Sequence, residues 1–291
     1  MSGRFVRYPP GRGNVWIPVD DARSCAAGLS LLTFSKPMPL TAQRILHAGA
    51  RLAGPWILPG RRERWDAEPW LPVLKSAEEA IGPFDGYAVY HRPQASREGA
   101  ALLLLRSGRP VGFLKARARA GEVEREAEVL QMLAGGRRPG FRVPELMGTG
   151  SADGMAWLVM SPMEPIPCRP ARNVSAAEVA AQITSLLAGL PRPEGVAAHW
   201  EPMHGDLTPW NLRMTRGPVP WLIDWEDAGH GPPGADEVYY LATRAAVFGG
   251  AVTPTDHLEA ADYWRAVVIA RQADDRGLAD RLLAALDRLG G

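Results

Sequence analysis

Residues 204–211 read His-Gly-Asp-Leu-Thr-Pro-Trp-Asn, and residues 223–227 read Ile-Asp-Trp-Glu-Asp. Between the two motifs, residues 212–215 and 220–223 have the composition of short strands, and residues 216–219 have that of a turn. A lone His-x-Asp or Ile-Asp-Trp is common and usually structural. Both motifs in order, joined by a hairpin, favour a functional site.

Three polar side chains in these motifs have the spacing of a phosphoryl-transfer site. Asp206 would orient an acceptor hydroxyl, and Asn211, five residues later, would point back at a metal ion. Asp224, at the end of the returning strand, would join that metal to the phosphates. In kinase-type chemistry the protein mainly positions the γ-phosphoryl, neutralises its charge with Mg²⁺ and orients the nucleophile. The motifs therefore predict Mg²⁺ and a nucleoside triphosphate.

The stretch resembles the catalytic core of the aminoglycoside phosphotransferase and choline kinase superfamily, the small-molecule branch of the protein-kinase-like fold. The resemblance covers most of the chain after residue 80 and is most specific over 204–241. It implies an α+β, bilobal protein-kinase-like fold, with a small antiparallel β lobe that carries one helix and a larger helical lobe. It also implies ATP as the phosphoryl donor, with GTP as the alternative.

The resemblance assigns roles to five of these residues. Asp206 is the implied catalytic residue, and Asn211 and Asp224 are the implied Mg²⁺ ligands. His204 braces the loop, and Asp236 caps the following helix.

A lysine and a glutamate upstream complete the expected nucleotide site. The chain has three lysines against 30 arginines, so a lysine at the end of the apolar strand 111–115 suggests a compact ammonium beside phosphates. The alternative for Lys115 is a surface lysine at a strand edge. Residues 121–133 have helical periodicity, and by the resemblance Glu126 pairs with Lys115. A shift of register would give that role to a neighbouring glutamate.

The sequence signals for residues that would bind the nucleotide base and the phosphates are weaker. By the resemblance, the backbone at Ser161 to Met163 bonds the adenine edge and Met160 lies beside the ring; core packing of Met160 and Met163 is the alternative. A Gly-x-Gly-x-x-Gly loop is absent from the sequence between the first two strands. Ser96, its neighbour Arg97 or backbone amides would cover the phosphates instead, which leaves the choice between ATP and GTP open.

Composition limits which partners and which cellular compartment the chain is expected to have. A net charge of +1 favours neither a nucleic acid nor an anionic membrane as partner. Two cysteines without a pairing signature, no apolar leader and no apolar span favour a cytoplasmic protein. The helix expected at 41–53 is either a basic amphipathic membrane-surface helix or a packed one, and the packed helix is the default.

We expect three parts: an N-terminal extension or subdomain at 1–80, a nucleotide-binding small lobe at 81–163, and a catalytic, acceptor-binding helical lobe at 164–291. The first part would be an extra subdomain, a substrate cover, or a docking surface for a protein or peptide partner. In the third, Ser175 begins a capping box. Apolar periodicity predicts the later helices, at 235–248, 256–273 and 276–289.

The acceptor is the least determined feature. Glu226 and Asp227 follow Asp224 directly and are the best candidates for substrate contact. Tyr240 and Trp264 could enclose a cationic acceptor, although core packing is the simpler expectation. We favour transfer of the γ-phosphoryl to a hydroxyl of a small molecule, such as an antibiotic, sugar or amino alcohol. A peptide Ser/Thr kinase in a peptide-tailoring pathway and a non-catalytic pseudokinase scaffold are the alternatives.

Overall fold

The computed structural model describes residues 3–10, 13–91, 99–135, 140–272 and 276–291. The chain divides into two compact units. Unit 1 contains residues 1–127 and 144–169, and unit 2 contains residues 128–143 and 170–291. Among the described residues, no helix combines the length and the apolar character needed to cross a membrane.

Unit 1 is built on one antiparallel sheet of seven strands, ordered β1-β2-β3-β4-β5-β7-β6. Its strands are β1 (Phe5–Tyr8), β2 (Val15–Pro18), β3 (Gly86–His91), β4 (Gly99–Arg106), β5 (Arg109–Arg117), β6 (Leu146–Ala152) and β7 (Met155–Met160). The continuous apolar run of β4 is buried from Ala100 to Leu105, which is typical of a strand covered on both faces. Leu102, Leu104 and Trp157 belong to the core on one side of this sheet.

Four helices accompany the sheet. They are α1 (Ala22–Ser30), α2 (Pro37–Ala53), α3 (Leu71–Ile81) and α4 (Ala120–Met132), and the boundary between the units crosses α4 after Ala127. The first 80 residues thus contribute two strands and three helices to unit 1. The sequence predicted only α2 among them. The N-terminal signal of α1 is Asp21, whose carboxylate accepts hydrogen bonds from the amides of Arg23 and Ser24.

Unit 2 is mainly helical. Its elements are α5 (Ala176–Leu186), β9 (Glu201–Met203), β10 (Leu212–Met214), β11 (Trp221–Leu222), β12 (Gly229–Gly231), α6 (Ala235–Phe248), α7 (Leu258–Ala270) and α8 (Arg276–Gly290); a two-residue strand, β8 (Arg169–Pro170), precedes them. Ser175 caps α5 by accepting from the Glu178 amide, as predicted. Trp264, Val238 and Leu286 lie in the helical core.

The predicted fold class is confirmed as α+β, with an antiparallel sheet in one unit and mainly helices in the other. Tyr240 and Trp264 both belong to the core. The Tyr240 hydroxyl donates to the Ala171 carbonyl at 2.6 Å, and the Trp264 indole donates to the Ala235 carbonyl at 2.7 Å. The core-packing alternative is therefore the correct one for both residues.

Candidate functional site

The loop after β9 is held by hydrogen bonds to its backbone. His204 and Gly205 donate their amides to the two carboxylate oxygens of Asp236, at 2.7 and 3.1 Å. The His204 ring donates from Nε2 to the Ile223 carbonyl at 3.1 Å and accepts the Asp206 amide at Nδ1 at 3.1 Å. Because both ring nitrogens are engaged, the imidazole has one tautomer and one orientation. The loop backbone around Asp206 is thereby fixed.

Asp236 makes these contacts from the first turn of α6, where it is buried. The expectation that it caps this helix is wrong: Gly234 is the N-cap residue and no side chain caps the helix, because the Asp236 carboxylate is bonded to the loop instead. Burial raises the pKa of its carboxyl to about 6, and the two amide hydrogen bonds from His204 and Gly205 oppose that rise. A helix N-terminus also favours the ionised carboxylate. The side chain therefore joins the start of α6 to a loop more than 30 residues earlier in the chain.

Asp206 and Asn211 are in direct contact. The Asn211 amide donates to the Asp206 carboxylate at 2.8 Å and to the Asp206 carbonyl at 3.0 Å. Within residues 203–209, Asp206 is the one residue that is not buried. Both of these hydrogen bonds are donated by the side-chain nitrogen of Asn211, Nδ2. The side-chain oxygen of Asn211 accepts no hydrogen bond from the described residues. It is thus available as a ligand atom.

The β10–β11 hairpin joins the residue before Asp224 to the backbone of Asn211. Leu212 pairs with Leu222, and the Ile223 amide donates to the Asn211 carbonyl at 3.1 Å. The following residue, Asp224, has φ 71° and ψ 62°, a left-handed conformation that is uncommon outside glycine. Such backbone conformations concentrate at functional sites.

The chemistry of the donor set fits Mg²⁺. An amide oxygen from Asn211 and a carboxylate from Asp224 are hard oxygen ligands, which this ion prefers, and Mg²⁺ usually takes only one or two such protein ligands together with phosphates and water.

Gly205 is a site residue that sequence reasoning missed. Its φ is +77°, and a Cβ at this position would lie 2.0 Å from the Asp227 carbonyl oxygen. Only glycine allows the two backbone segments to approach so closely. Thr208 was missed as well. It is fully buried, and its hydroxyl accepts a hydrogen bond from the backbone amide of Asn211 at 3.2 Å. The glycine and the hydroxyl inside the 204–211 motif were the available signals.

Glu226 and Asp227, the predicted substrate contacts, lie in a single helical turn at Trp225–Asp227. Glu226 is buried. Asp227 is partly exposed and lies 3.5 Å from Arg271 in an ion pair. The Asp227 carboxylate is therefore reachable from solvent, and the guanidinium of Arg271 holds it in place.

In unit 1, Lys115 ends the predicted strand and Glu126 lies on α4. The Lys115 ammonium is 2.7 Å from both carboxylate oxygens of Glu126. Both residues are buried, so Lys115 is not the surface lysine of the alternative interpretation. The predicted register of α4 is correct, since Glu126 and not a neighbouring glutamate makes this contact.

The predicted base-binding segment follows β7. Met160 is buried at the end of that strand, as core packing would require. The Ser161 amide donates to the Glu145 carbonyl at 2.8 Å, so it cannot also donate to a nucleotide base. The Met163 amide has no hydrogen-bond partner in the described part of the chain. Ser96, the predicted phosphate contact, lies outside the described residues.

Comparison with known proteins supports the enzyme class. Residues 177–267 match the phosphotransferase enzyme family. The predicted resemblance is confirmed. The matched residues include Asp206, Asn211, Asp224 and Asp236, and the predicted enzyme class, a phosphotransferase, is confirmed with them. Sequence comparison with curated proteins finds no match.

Three solved structures are similar to this chain. Spectinomycin phosphotransferase APH(9)-Ia, in complex with ADP and spectinomycin, is 10% identical, with 75% of this chain and 92% of that chain covered and a TM-score of 0.49. A thermostable mutant of aminoglycoside phosphotransferase APH(4)-Ia, in its apo form, is 12% identical, covers 75% and 99%, and has a TM-score of 0.45. A protein named putative fructosamine-3-kinase, from Haemophilus somnus 129PT, is 11% identical, with 76% of this chain and 97% of that chain covered and a TM-score of 0.46.

Proposed function

We propose that this chain transfers the γ-phosphoryl group of a nucleoside triphosphate, with ATP as the first candidate and GTP as the second, to a hydroxyl of a small molecule. The observation that carries the proposal is the contact between Asp206 and Asn211. It couples an accessible carboxylate to a side-chain amide whose oxygen remains available for a metal ion.

Asp206 would act on the acceptor. Its carboxylate would accept a hydrogen bond from the acceptor hydroxyl and direct a lone pair of that oxygen at the γ-phosphorus. A bond would form between the acceptor oxygen and the γ-phosphorus while the bond from that phosphorus to the β–γ bridging oxygen breaks, so that a nucleoside diphosphate leaves and the hydroxyl proton passes to Asp206. The Asn211 amide holds the carboxylate in one orientation, and His204 and Asp236 hold the loop backbone. A fixed base orients the nucleophile without a reorganisation step, which is the main protein contribution in this chemistry.

The remaining residues would bind the donor. Asn211 and Asp224 would hold Mg²⁺, which supplies charge neutralisation of the phosphates when bound. Lys115, oriented by Glu126, would contact the phosphates, and its compact ammonium suits that role better than a guanidinium. The Met163 amide, rather than that of Ser161, would donate to the base. Glu226 and Asp227 would give the acceptor site a negative charge, which favours acceptors that carry an amine.

The test is transfer of γ-labelled phosphate from Mg²⁺-ATP, and separately from Mg²⁺-GTP, into a cell extract and into aminocyclitol, sugar and amino-alcohol acceptors. Asp206→Asn keeps an oxygen that can accept from Asn211 but removes the charge, so turnover should fall by about 10²–10⁴-fold while nucleotide affinity changes little. Asp224→Asn should also lose the Mg²⁺ dependence of nucleotide binding. Asp153→Asn makes the same chemical change in the exposed β6–β7 turn and should leave turnover unchanged.

The outcomes distinguish between the candidate functions. Label in the small-molecule fraction, lost with Asp206→Asn, supports the proposal. Label in peptides would identify a peptide kinase instead. Mg²⁺-dependent nucleotide binding without transfer to any fraction would indicate a scaffold. Full turnover by Asp206→Asn would remove Asp206 from the active site.

A further inference from the structure

Helix α2 is anchored by one face. Its buried residues include Leu40, Gln43, His47 and Ala50. The Gln43 amide donates to the carbonyls of Leu29 and Leu32, at 2.7 and 2.8 Å, and His47 Nε2 lies 3.0 Å from the Pro165 carbonyl. These buried polar contacts fix the rotation of the helix about its axis. The predicted packed helix is therefore present, and its opposite face is held outward.

That opposite face is apolar. Met38, Ile45 and Leu52 are spaced by seven residues, which is two helical turns, so they form one stripe. They are 84, 68 and 89% exposed, and Trp56, in the turn after the helix, is 73% exposed. We call these four residues the α2 apolar face. They are half of the eight strongly exposed large hydrophobic side chains in the described part of the chain, which is a concentration typical of an interaction site.

The sequence around this face has a single sign of charge. Residues 22–62 contain no aspartate or glutamate, although the whole chain has 32 acidic residues. Four exposed cations lie on α2 or in the segments beside it: Lys36, Arg44, Arg51 and Arg61. Arg62 is exposed as well, but its guanidinium donates to backbone carbonyls within residues 55–60. The near-neutral charge of the whole chain thus conceals a local cationic segment. A partner that complements it must offer both negative charge and an apolar interior.

We propose that the α2 apolar face binds the surface of an anionic phospholipid bilayer, with α2 lying in the plane of the interface. Met38, Ile45, Leu52 and Trp56 would enter the boundary between headgroups and acyl chains, and the four cations Lys36, Arg44, Arg51 and Arg61 would contact lipid phosphates. An apolar face with tryptophan and flanking arginines is the pattern of helices that lie on such membranes.

A second copy of this chain fits the face less well. Pairing two α2 helices would bring two cationic segments together without an acidic side chain between residues 22 and 62 to compensate. The bilayer needs no groove to receive a convex helix, because lipids rearrange around the inserted side chains.

The test is flotation of the full chain with vesicles of phosphatidylcholine alone and of equal parts phosphatidylcholine and phosphatidylglycerol. At about 0.1 M salt, where surface charge is only partly screened, we expect binding to the anionic vesicles to be at least tenfold stronger. Ile45→Gln with Leu52→Gln should weaken this binding at least about tenfold, since each buried methylene contributes. Arg44→Gln with Arg51→Gln should weaken it roughly 30-fold.

The matched control is Leu258→Gln with Ile269→Gln, two side chains on α7 that are each 55% exposed. This variant removes the same kind of apolar surface and should bind vesicles like the unchanged chain. The proposal is overturned if the unchanged chain ignores anionic vesicles, if it binds neutral vesicles equally well, or if the control loses as much as the α2 variant. It is also overturned if sedimentation shows a dimer that the α2 variant dissociates while vesicle binding is absent.

Discussion

The buried ion pair between Lys115 and Glu126 allows a quantitative test of how unit 1 is held together. The ammonium lies 2.7 Å from each carboxylate oxygen, and the two side chains are only 8 and 2% exposed. Removing one partner of such a pair leaves an uncompensated buried charge, at a cost of about 3–5 kcal/mol. We therefore expect Lys115→Met alone, and Glu126→Leu alone, each to lower the free energy of unfolding by that amount.

The double variant should be less damaging than the two single changes together. Replacing both charges by apolar side chains removes the buried charge altogether, and such replacements are often close to neutral. We expect a coupling energy of at least about 3 kcal/mol from the four-member cycle, measured by urea unfolding followed by circular dichroism.

The matched control uses Lys75 and Glu79, an exposed pair four residues apart on α3. Lys75→Met with Glu79→Leu should show a coupling energy below about 0.5 kcal/mol. If the Lys115–Glu126 cycle gives a coupling as small as this one, the pair does not hold α4 against β5 and the reasoning is refuted.

Two further perturbations test the loop around Asp206. Gly205→Ala places a Cβ 2.0 Å from the Asp227 carbonyl in a residue with φ +77°, so we expect a loss of more than about 3 kcal/mol in unfolding free energy together with loss of transfer. Gly154→Ala has nearly the same φ, +74°, but no atom within 4 Å, and should cost only about 1 kcal/mol with normal turnover; equal effects would show that backbone conformation alone matters. Asp236 binds its proton more tightly in the fold than when unfolded, with a pKa of about 6 against 3.8, so its contribution to stability is complete below pH 3.8 and is lost as the pH rises through 6. The stability of the unchanged chain relative to Asp236→Asn, from urea unfolding between pH 4 and pH 7, should therefore fall by about 2 kcal/mol; a flat or rising difference would exclude this titration.

Local signals in the sequence were sufficient for much of unit 2. The periodicity over 235–248 predicts the bounds of α6, and Ser175 predicts the start of α5. Both signals arise from contacts within one or two helical turns, which is why a single sequence can reveal them. The hairpin between Asn211 and Asp224 has the same local character, because its turn and strands are consecutive.

The N-terminal strands could not be found in this way. β1 and β2 have four residues each, and β2 pairs with β3 about 70 residues later. Strands this short have no periodicity to detect, and their stability comes from neighbours that are distant in sequence. The exposure of Met38, Ile45 and Leu52 could not be predicted for a related reason: α2 has apolar side chains on both its buried and its exposed face, and composition does not tell which face is covered.

The sequence by itself determined the chemical groups of the candidate site, because Asp206, Asn211 and Asp224 lie in short motifs whose spacing is set by a loop and a hairpin. It also determined the enzyme class through those motifs. Only the tertiary structure decided that Asp236 holds the loop, that Gly205 meets Asp227, that the Ser161 amide is already bonded, and that α2 turns an apolar face to solvent. Each of these depends on contacts between segments far apart in the chain, and such contacts are specified by packing and burial rather than by any local pattern.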